Sequence, residues 1–419
     1  MVFRFARFVA FHVRENRDYL AVIVLSATLA VSVINVTHGA YMSLVLFLLL
    51  AGARIAQRAT FDSLDVVVLV SGLVLIVSPY WTSSIAPLGS ASSSALGSAA
   101  GLLFMLPVRW LIRTKFLFFL LSVSVILISS TYALIVLSLG EAVQVADGVI
   151  RVYVPFANAN YLSAIFAYGT ALSIWSFIYW AKSAKQKVMF AAGMVIGIAA
   201  VFVSGSRAAL GGIALAAIAI IALRKAPRVA LYGAFTLAFA SFIIGFFPTQ
   251  AVSFLTAAAG IFEGSTTLSR DPDDINTASG REAIWLEVNE VITRSWLTGW
   301  GPGRYEDQSR ELDAPAHNWG LEFMASVGIV GTLLLVCAIV IAYFARGFFR
   351  FGNCESTSWQ LWNAGTLLAI LPNLALSTHQ WTLWAWLAVG LWSRSRSLLE
   401  AESVTRYELP SRAQPPAGS

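Results

Sequence analysis

The chain has 419 residues, of which 58% are hydrophobic and 12% charged, with a formal net charge of +6 at pH 7 and a mean hydropathy of +0.74. So little charge excludes an ordinary soluble protein and points to many membrane spans, since a spanning helix needs about 20 mostly apolar residues. Two cysteines, Cys337 in an apolar run and Cys354 in a basic linker, leave no basis for a structural disulfide or a thiolate metal site.

The first stretch, Met1 to Asp18, is basic through Arg4, Arg7, Arg14 and Arg17. It reads as a positive anchor holding the N-terminus in the cytoplasm, with a short interfacial helix as the other reading. It lacks a small-residue cleavage site and runs into a span, so no cleaved signal peptide is expected. Apolar runs follow at 19–37, 40–56, 64–81, 91–112, 116–139, 158–180, 188–204, 208–223, 229–247, 317–345, 359–378 and 380–394. These are twelve candidate spans. The fourth is weakened by a Ser-, Ala- and Gly-rich start, and only Ser377-Thr-His-Gln380 divides the last two.

With the N-terminus inside and the spans alternating, 21 of the 28 basic residues, including all five lysines, fall on cytoplasmic segments. That asymmetry is what the positive-inside rule requires. It assigns the net charge to topology rather than to nucleic acid. The seven outward basic residues are Arg151, Arg207, Arg270, Arg281, Arg294, Arg304 and Arg310, all arginines. A guanidinium offers a planar fork suited to phosphate and stays charged when partly desolvated. The fold class expected is an all-α polytopic membrane protein of about 12 transmembrane helices with a large outward loop containing amphipathic helices. The expected division is a nine-span bundle over 1–247, the loop over 248–316, a three-span bundle over 317–396 and a disordered cytoplasmic tail over 397–419. The loop carries 11 of the 22 acidic residues.

Four outward stretches carry candidate chemistry. Arg151-Val-Tyr-Val-Pro-Phe-Ala-Asn-Ala-Asn160 leads into the sixth span. Asn158 either caps that helix or contacts substrate, and Asn160 falls inside its first turn, where an unpaired amide is costly. Ser204-Gly-Ser-Arg-Ala-Ala-Leu-Gly-Gly212 is too short a turn to leave Arg207 in open solvent. An arginine there either snorkels or pairs with an anion, since an unpaired one costs roughly 2.5–3.5 kcal/mol. Ser204 and Ser206 are candidate caps for the eighth span. In the loop, Ile284, Trp285, Val288, Val291, Ile292 and Trp296 recur at helical spacing after Ser279, with Arg281 in the first turn. Gly299, Gly301 and Gly303 follow, permitting positive φ and close backbone approach to a ligand. His317-Asn318 then re-enters the membrane, with Glu322 one turn into the span. An imidazole is the side chain best poised for proton transfer near neutral pH. His38 and His379, each alone in a short turn, carry no such cluster, and no carboxylate–histidine cluster marks a metal site.

The ordered run R-x(6)-N-x-N, S-G-S-R-A-A-L-G, G-R-x-x-x-W, L-x-G-W-G-P-G-x-Y and A-H-N-x-x-L-E-x-x-x-x-x-G-I-x-G, over about 150–332, resembles the bacterial O-antigen ligase and O-antigen polymerase-like superfamily. The resemblance implies an inner-membrane, multi-pass glycosyltransferase with both termini cytoplasmic and its site facing the periplasm. The donor would be an undecaprenyl-pyrophosphate-linked glycan, and the acceptor lipid A–core or a growing glycan. No cofactor and no metal are implied, and the remaining partners would be membrane lipids. It casts Arg207 and Arg281 as pyrophosphate ligands, with Arg151 or Arg304 as a helper, and His317 as the base that deprotonates or orients the acceptor hydroxyl. Asn158, Asn160, Asn318 and Glu322 fall to substrate contact. The outward segment before Asn158 is short, whereas many polymerases have a larger loop there. That favours a ligase over a polymerase of O-antigen or exopolysaccharide. A twelve-span transporter is the reading from another class. It would require an inverted repeat and mid-depth polar residues, which the sequence does not display.

Overall fold

The computed structural model describes residues 19–81, 88–144, 150–153, 159–204, 206–225, 281–302, 318–344, 368–370 and 383–394. In chain order the elements are α1 (Tyr19–Ile34), α2 (Val36–Ala56), α3 (Ser63–Trp81), α4 (Leu88–Leu103), α5 (Met105–Leu111) and α6 (Lys115–Leu139). A hairpin of β1 (Glu141–Gln144) and β2 (Ile150–Tyr153) follows, then α7 (Ala159–Trp175) with a closing π turn at Ser176–Trp180. α8 (Ala184–Val203), α9 (Arg207–Lys225), α10 (Arg281–Arg294), α11 (Trp319–Phe344) and α12 (383–394) complete the described set. The protein is a helical membrane protein. Among the described residues, five helices are long and apolar enough to cross a membrane: Val36–Ala56, Lys115–Leu139, Tyr161–Trp180, Ala184–Val203 and Gly320–Cys337. The candidate span at 229–247, most of 359–378, and the tail lie outside the described residues.

Local chemistry explains where these helices start and break. Thr114 caps α6 by accepting from the Leu117 N–H, and Ser183 with Gln186 closes a capping box on α8. The weak fourth span is two helices meeting at Phe104. Pro107 has no N–H to give the Leu103 carbonyl, and its ring crowds that carbonyl, so the helix restarts with proline in its first turn. The antiparallel hairpin, pairing Val143 with Arg151, is the one departure from an all-helical chain among the described residues. At the far end of α7 the π turn gathers aromatic rings. Trp180 stacks on Phe119 at 4.5 Å, and Trp175 stacks on Tyr179 at 5.8 Å.

Two cores form. The larger joins α1, α6, α7, α8 and α9, and the smaller joins α2, α3, α4 and α11. Small residues let the first pack tightly: Gly169 sits against Ser129, Gly193 against Ser173 and Gly197 against Thr170. α5 and α12 contribute side chains to both cores, with Trp384 and Leu387 facing the larger and Trp386 the smaller. α12 also runs between the two ends of the molecule. Its Trp384 indole donates to Ser32 Oγ (3.1 Å), whose backbone carbonyl accepts from the Tyr161 hydroxyl (3.1 Å). Its Arg394 Nε donates to the Ile112 carbonyl at 2.6 Å.

Beside Ile112 lies a buried ionic cluster. Arg109 bonds Asp65 (3.1 Å) and Asp62 (2.6 Å), and the Trp110 indole also donates to Asp65 (3.1 Å). Arg54 stacks over the rings of Phe61 and Trp110, at 5.4 and 5.0 Å from their centroids. The α2–α3 turn is thereby tied to α5. Removing one member of a buried pair strands the other, at a cost of about 3–5 kcal/mol. Arg109→Ala should therefore destabilise the detergent-solubilised protein by about that amount in an SDS unfolding titration. Arg294→Ala, which removes an exposed i,i+4 pair with Glu290, should change it by no more than about 0.5 kcal/mol.

Candidate active site

The sequence-predicted residues gather, among the described residues, into two neighbourhoods. The first lies at the start of α7 and α9. Arg207 is the first residue of α9, and Asn160 the second residue of α7. Ser206 caps α9, its Oγ accepting from the Ala209 N–H at 3.4 Å. Ser204 plays a different part from the cap expected of it. Its backbone N–H closes the end of α8 on the Ala200 carbonyl (3.0 Å), and its hydroxyl bonds the Val201 carbonyl (2.8 Å). The hydroxyl also meets Ser163 Oγ at 2.6 Å, with both serines buried. Ser163 stands one turn after Asn160, on the same face of α7. That contact holds the turn bearing Arg207 against the first turns of α7, and β2, with Arg151, packs beside the same helix.

The second neighbourhood is α10 on the first turns of α11. Trp285, Val288, Val291 and Ile292 bury themselves against Leu321 and Ala325, which is the apolar face read from the sequence. Arg281 is the first residue of that helix, as expected. Trp296 does not belong to the face. It follows the helix end at Arg294 and is 59% exposed. Asn318 caps α11, its Oδ1 accepting from the N–H groups of Gly320 (3.0 Å) and Leu321 (3.2 Å). It is fully buried, and its Nδ2 has no hydrogen-bond partner among the described residues. Glu322, also buried, stands in the first turn of α11, where the helix dipole favours a carboxylate. A buried cap, a carboxylate and an unspent amide donor thus lie together at the start of a helix that carries no other charge. His317, Asn158, Arg304 and Ser279 lie outside the described residues.

The glycine-rich turn after α10 was expected to bring backbone close to a ligand. What it approaches is α11. That helix is interrupted at Gly328, with φ 61° and ψ −170°. In an unbroken helix the N–H groups of Ile329 and Val330 would bond the carbonyls of Ala325 and Ser326. Here Ile329 donates to the Trp296 carbonyl (2.8 Å) and Val330 to that of Leu297 (3.3 Å). The two stranded carbonyls are taken up in turn: Trp300 N–H donates to Ala325 and Gly301 N–H to Ser326, each at 2.8 Å. Gly299 and Gly301 reach this geometry at φ 71° and 93°. A Cβ on Gly299 would stand 2.5 Å from the backbone of Ser326, Val327 and Gly328, and one on Gly328 would collide with Leu297. The turn and the break are thus two halves of one joint, which sequence reading missed because nothing local to Gly328 distinguishes a break from a packing glycine.

Residues 192–336 match the family model described as O-antigen ligase. That segment is similar to the O-antigen ligase family. The matched segment runs from within α8 to within α11 and contains Arg207, Arg281, Arg304, His317, Asn318 and Glu322. Arg151, Asn158 and Asn160 precede it. No curated protein matches the chain.

Two substitutions test the joint. Gly328→Ala and Gly299→Ala should each lower stability by at least about 1–3 kcal/mol, the cost of forcing a side chain into positive φ, before any steric displacement. Gly52→Ala, on a helix face with nothing near its Cβ, should be neutral or stabilising by about 0.5–1 kcal/mol in the same SDS titration.

Proposed function

We propose that the protein is an O-antigen ligase. It would move a glycan from undecaprenyl pyrophosphate to a sugar hydroxyl of lipid A–core, at the periplasmic face of the bacterial inner membrane. The observation that carries this reading is the family match, which takes in both candidate pyrophosphate ligands and the candidate base in one segment. The about-12-span topology, with both termini cytoplasmic and the 248–316 loop outward, is part of the same proposal and rests on the distribution of basic residues.

In this mechanism His317 takes the proton of the acceptor hydroxyl as its oxygen attacks the anomeric carbon. The bond from that carbon to the pyrophosphate oxygen breaks, and undecaprenyl pyrophosphate leaves carrying the electron pair. Direct displacement inverts the anomeric centre. Charge builds on the departing pyrophosphate, so fixed cations there stabilise the transition state more than the ground state. Arg207 and Arg281 serve that role, each at the first residue of a helix whose N-terminal N–H groups also favour an anion. Arg151 and Arg304 assist at the donor. Asn158, Asn160, Asn318 and Glu322 hold the sugars, and the free Nδ2 of Asn318 supports such a role because a buried amide donor is otherwise left unspent.

His317→Ala should reduce transfer by about 10²–10⁴-fold in an assay with purified lipid-linked donor, and Arg207→Ala or Arg281→Ala by about 10²–10³-fold. Unchanged turnover in any one of them removes that residue from the mechanism. Deleting the gene and complementing it with wild type or His317→Ala tests the reaction itself on surface-glycan gels. Intact lipid A–core without attached chains, with lipid-linked polymer accumulating, supports the ligase. Attached chains stalled at one repeat, or loss of a free exopolysaccharide with normal lipopolysaccharide, shows a polymerase acting on the same donor. An unchanged glycan profile overturns both.

A further inference from the structure

The joint at Gly328 places part of the outward loop deep in the span. Ile329 lies ten residues beyond Trp319, about 15 Å along the helix axis at about 1.5 Å per residue. The Trp296 and Leu297 carbonyls bond Ile329 and Val330, so those two residues sit at that level too. From Ser295 to Pro302 the sequence is Ser-Trp-Leu-Thr-Gly-Trp-Gly-Pro, with no charge, and none occurs from Phe323 to Phe344. The segment turns its polar atoms toward protein. Besides the four exchanged backbone bonds, Ser295 Oγ donates to the Gly299 carbonyl (2.9 Å), Gly299 N–H to the Ser295 carbonyl (2.9 Å) and the Trp300 indole to the Val291 carbonyl (2.9 Å). It turns its large apolar side chains the other way. Trp296 and Leu297 are 59% and 48% exposed, beside Val330 at 43% and Leu333 at 54% on α11. Leu297 and Val330 are joined through their backbones, so the four side chains make one outward apolar strip.

We propose that Ser295–Gly301 is a re-entrant element of the outer half of the membrane, with Trp296 and Leu297 facing the hydrocarbon of the surrounding lipid. Two features favour lipid over a water-exposed loop. Non-helical backbone at membrane depth persists only where protein satisfies its polar groups, and α11 bonds four of these, the Trp296 and Leu297 carbonyls and the Trp300 and Gly301 N–H groups. The strip continues an uncharged helix face that must itself meet lipid. α10 then ends not on a mobile loop but on a membrane-seated joint. The inference rests on the proposed outward orientation of the loop but not on the transfer reaction.

Spin-label depth measurement tests it. The full chain carrying Cys337→Ala, Cys354→Ala and Trp296→Cys is labelled with a nitroxide and reconstituted into phosphatidylethanolamine–phosphatidylglycerol vesicles. Collision with oxygen, which partitions into lipid, is compared with collision with a water-soluble nickel chelate. Labels at Leu333→Cys and Glu290→Cys give the in-membrane and aqueous references. The expected result is an oxygen-to-nickel ratio at position 296 shifted to the Leu333 value. A ratio equal to that at Glu290 overturns the proposal. So does an immobile label reached by neither reagent, which would mean that protein covers the strip. Leu297→Cys provides a second reading of the same strip if the Trp296 variant fails to fold, and the same outcomes decide it.

Discussion

In hydrocarbon there is no water to accept a stray N–H or to donate to a stray carbonyl, and each such orphan costs several kcal/mol. A spanning helix can break only if other protein groups take over the freed positions. The break at Gly328 meets this demand one for one: two donors and two acceptors of α11 are exchanged for two acceptors and two donors of the turn after α10. Much of the second neighbourhood follows from that exchange. The turn fixes the end of α10, the apolar face of α10 fixes its roll on Leu321 and Ala325, and Arg281 and Asn318 are thereby attached to one rigid pair of helices.

The first neighbourhood is built by different means. There the helices approach closely through Gly169, Gly193 and Gly197, and a pair of buried serines joins the end of α8 to α7. Hydroxyls serve well at such a contact because they bond without bringing charge into an apolar core. Arg207 therefore starts α9 from a turn that is capped by Ser206 on one side and held by Ser204 on the other.

Much of the helical frame was legible in the sequence, because apolar length and flanking arginines record a membrane span directly. α2, α3, α6 and α8 fall within a few residues of the runs that announced them. The positions of Arg281, Asn160 and Glu322 in first turns were legible for the same reason. What escaped was everything set by contact between distant segments. Trp296 fits the helical period of α10, yet α10 has ended before it, since a periodic pattern says nothing of where a turn begins. The glycines at 299 and 301 announced positive φ but not their partner. Arg109 counted as one more cytoplasmic charge, although it is buried and paired with Asp62 of the α2–α3 turn and Asp65 of the first turn of α3. The short strands bearing Arg151 have four residues each, too few for alternation to stand out.

The bond from Trp384 to Ser32 closes a gap of 352 residues. A membrane protein is delivered to the bilayer in order of synthesis, so α1 waits through the making of nearly the whole chain before this partner arrives. α12 also fills both cores, and its Arg394 reaches the far end at Ile112. Until α12 is inserted, both cores lack the side chains that it contributes to them. Its arrival adds a second link between two cores that α5 already joins. A chain arrested before α12 would thus leave both cores without their Trp384, Trp386 and Leu387 side chains.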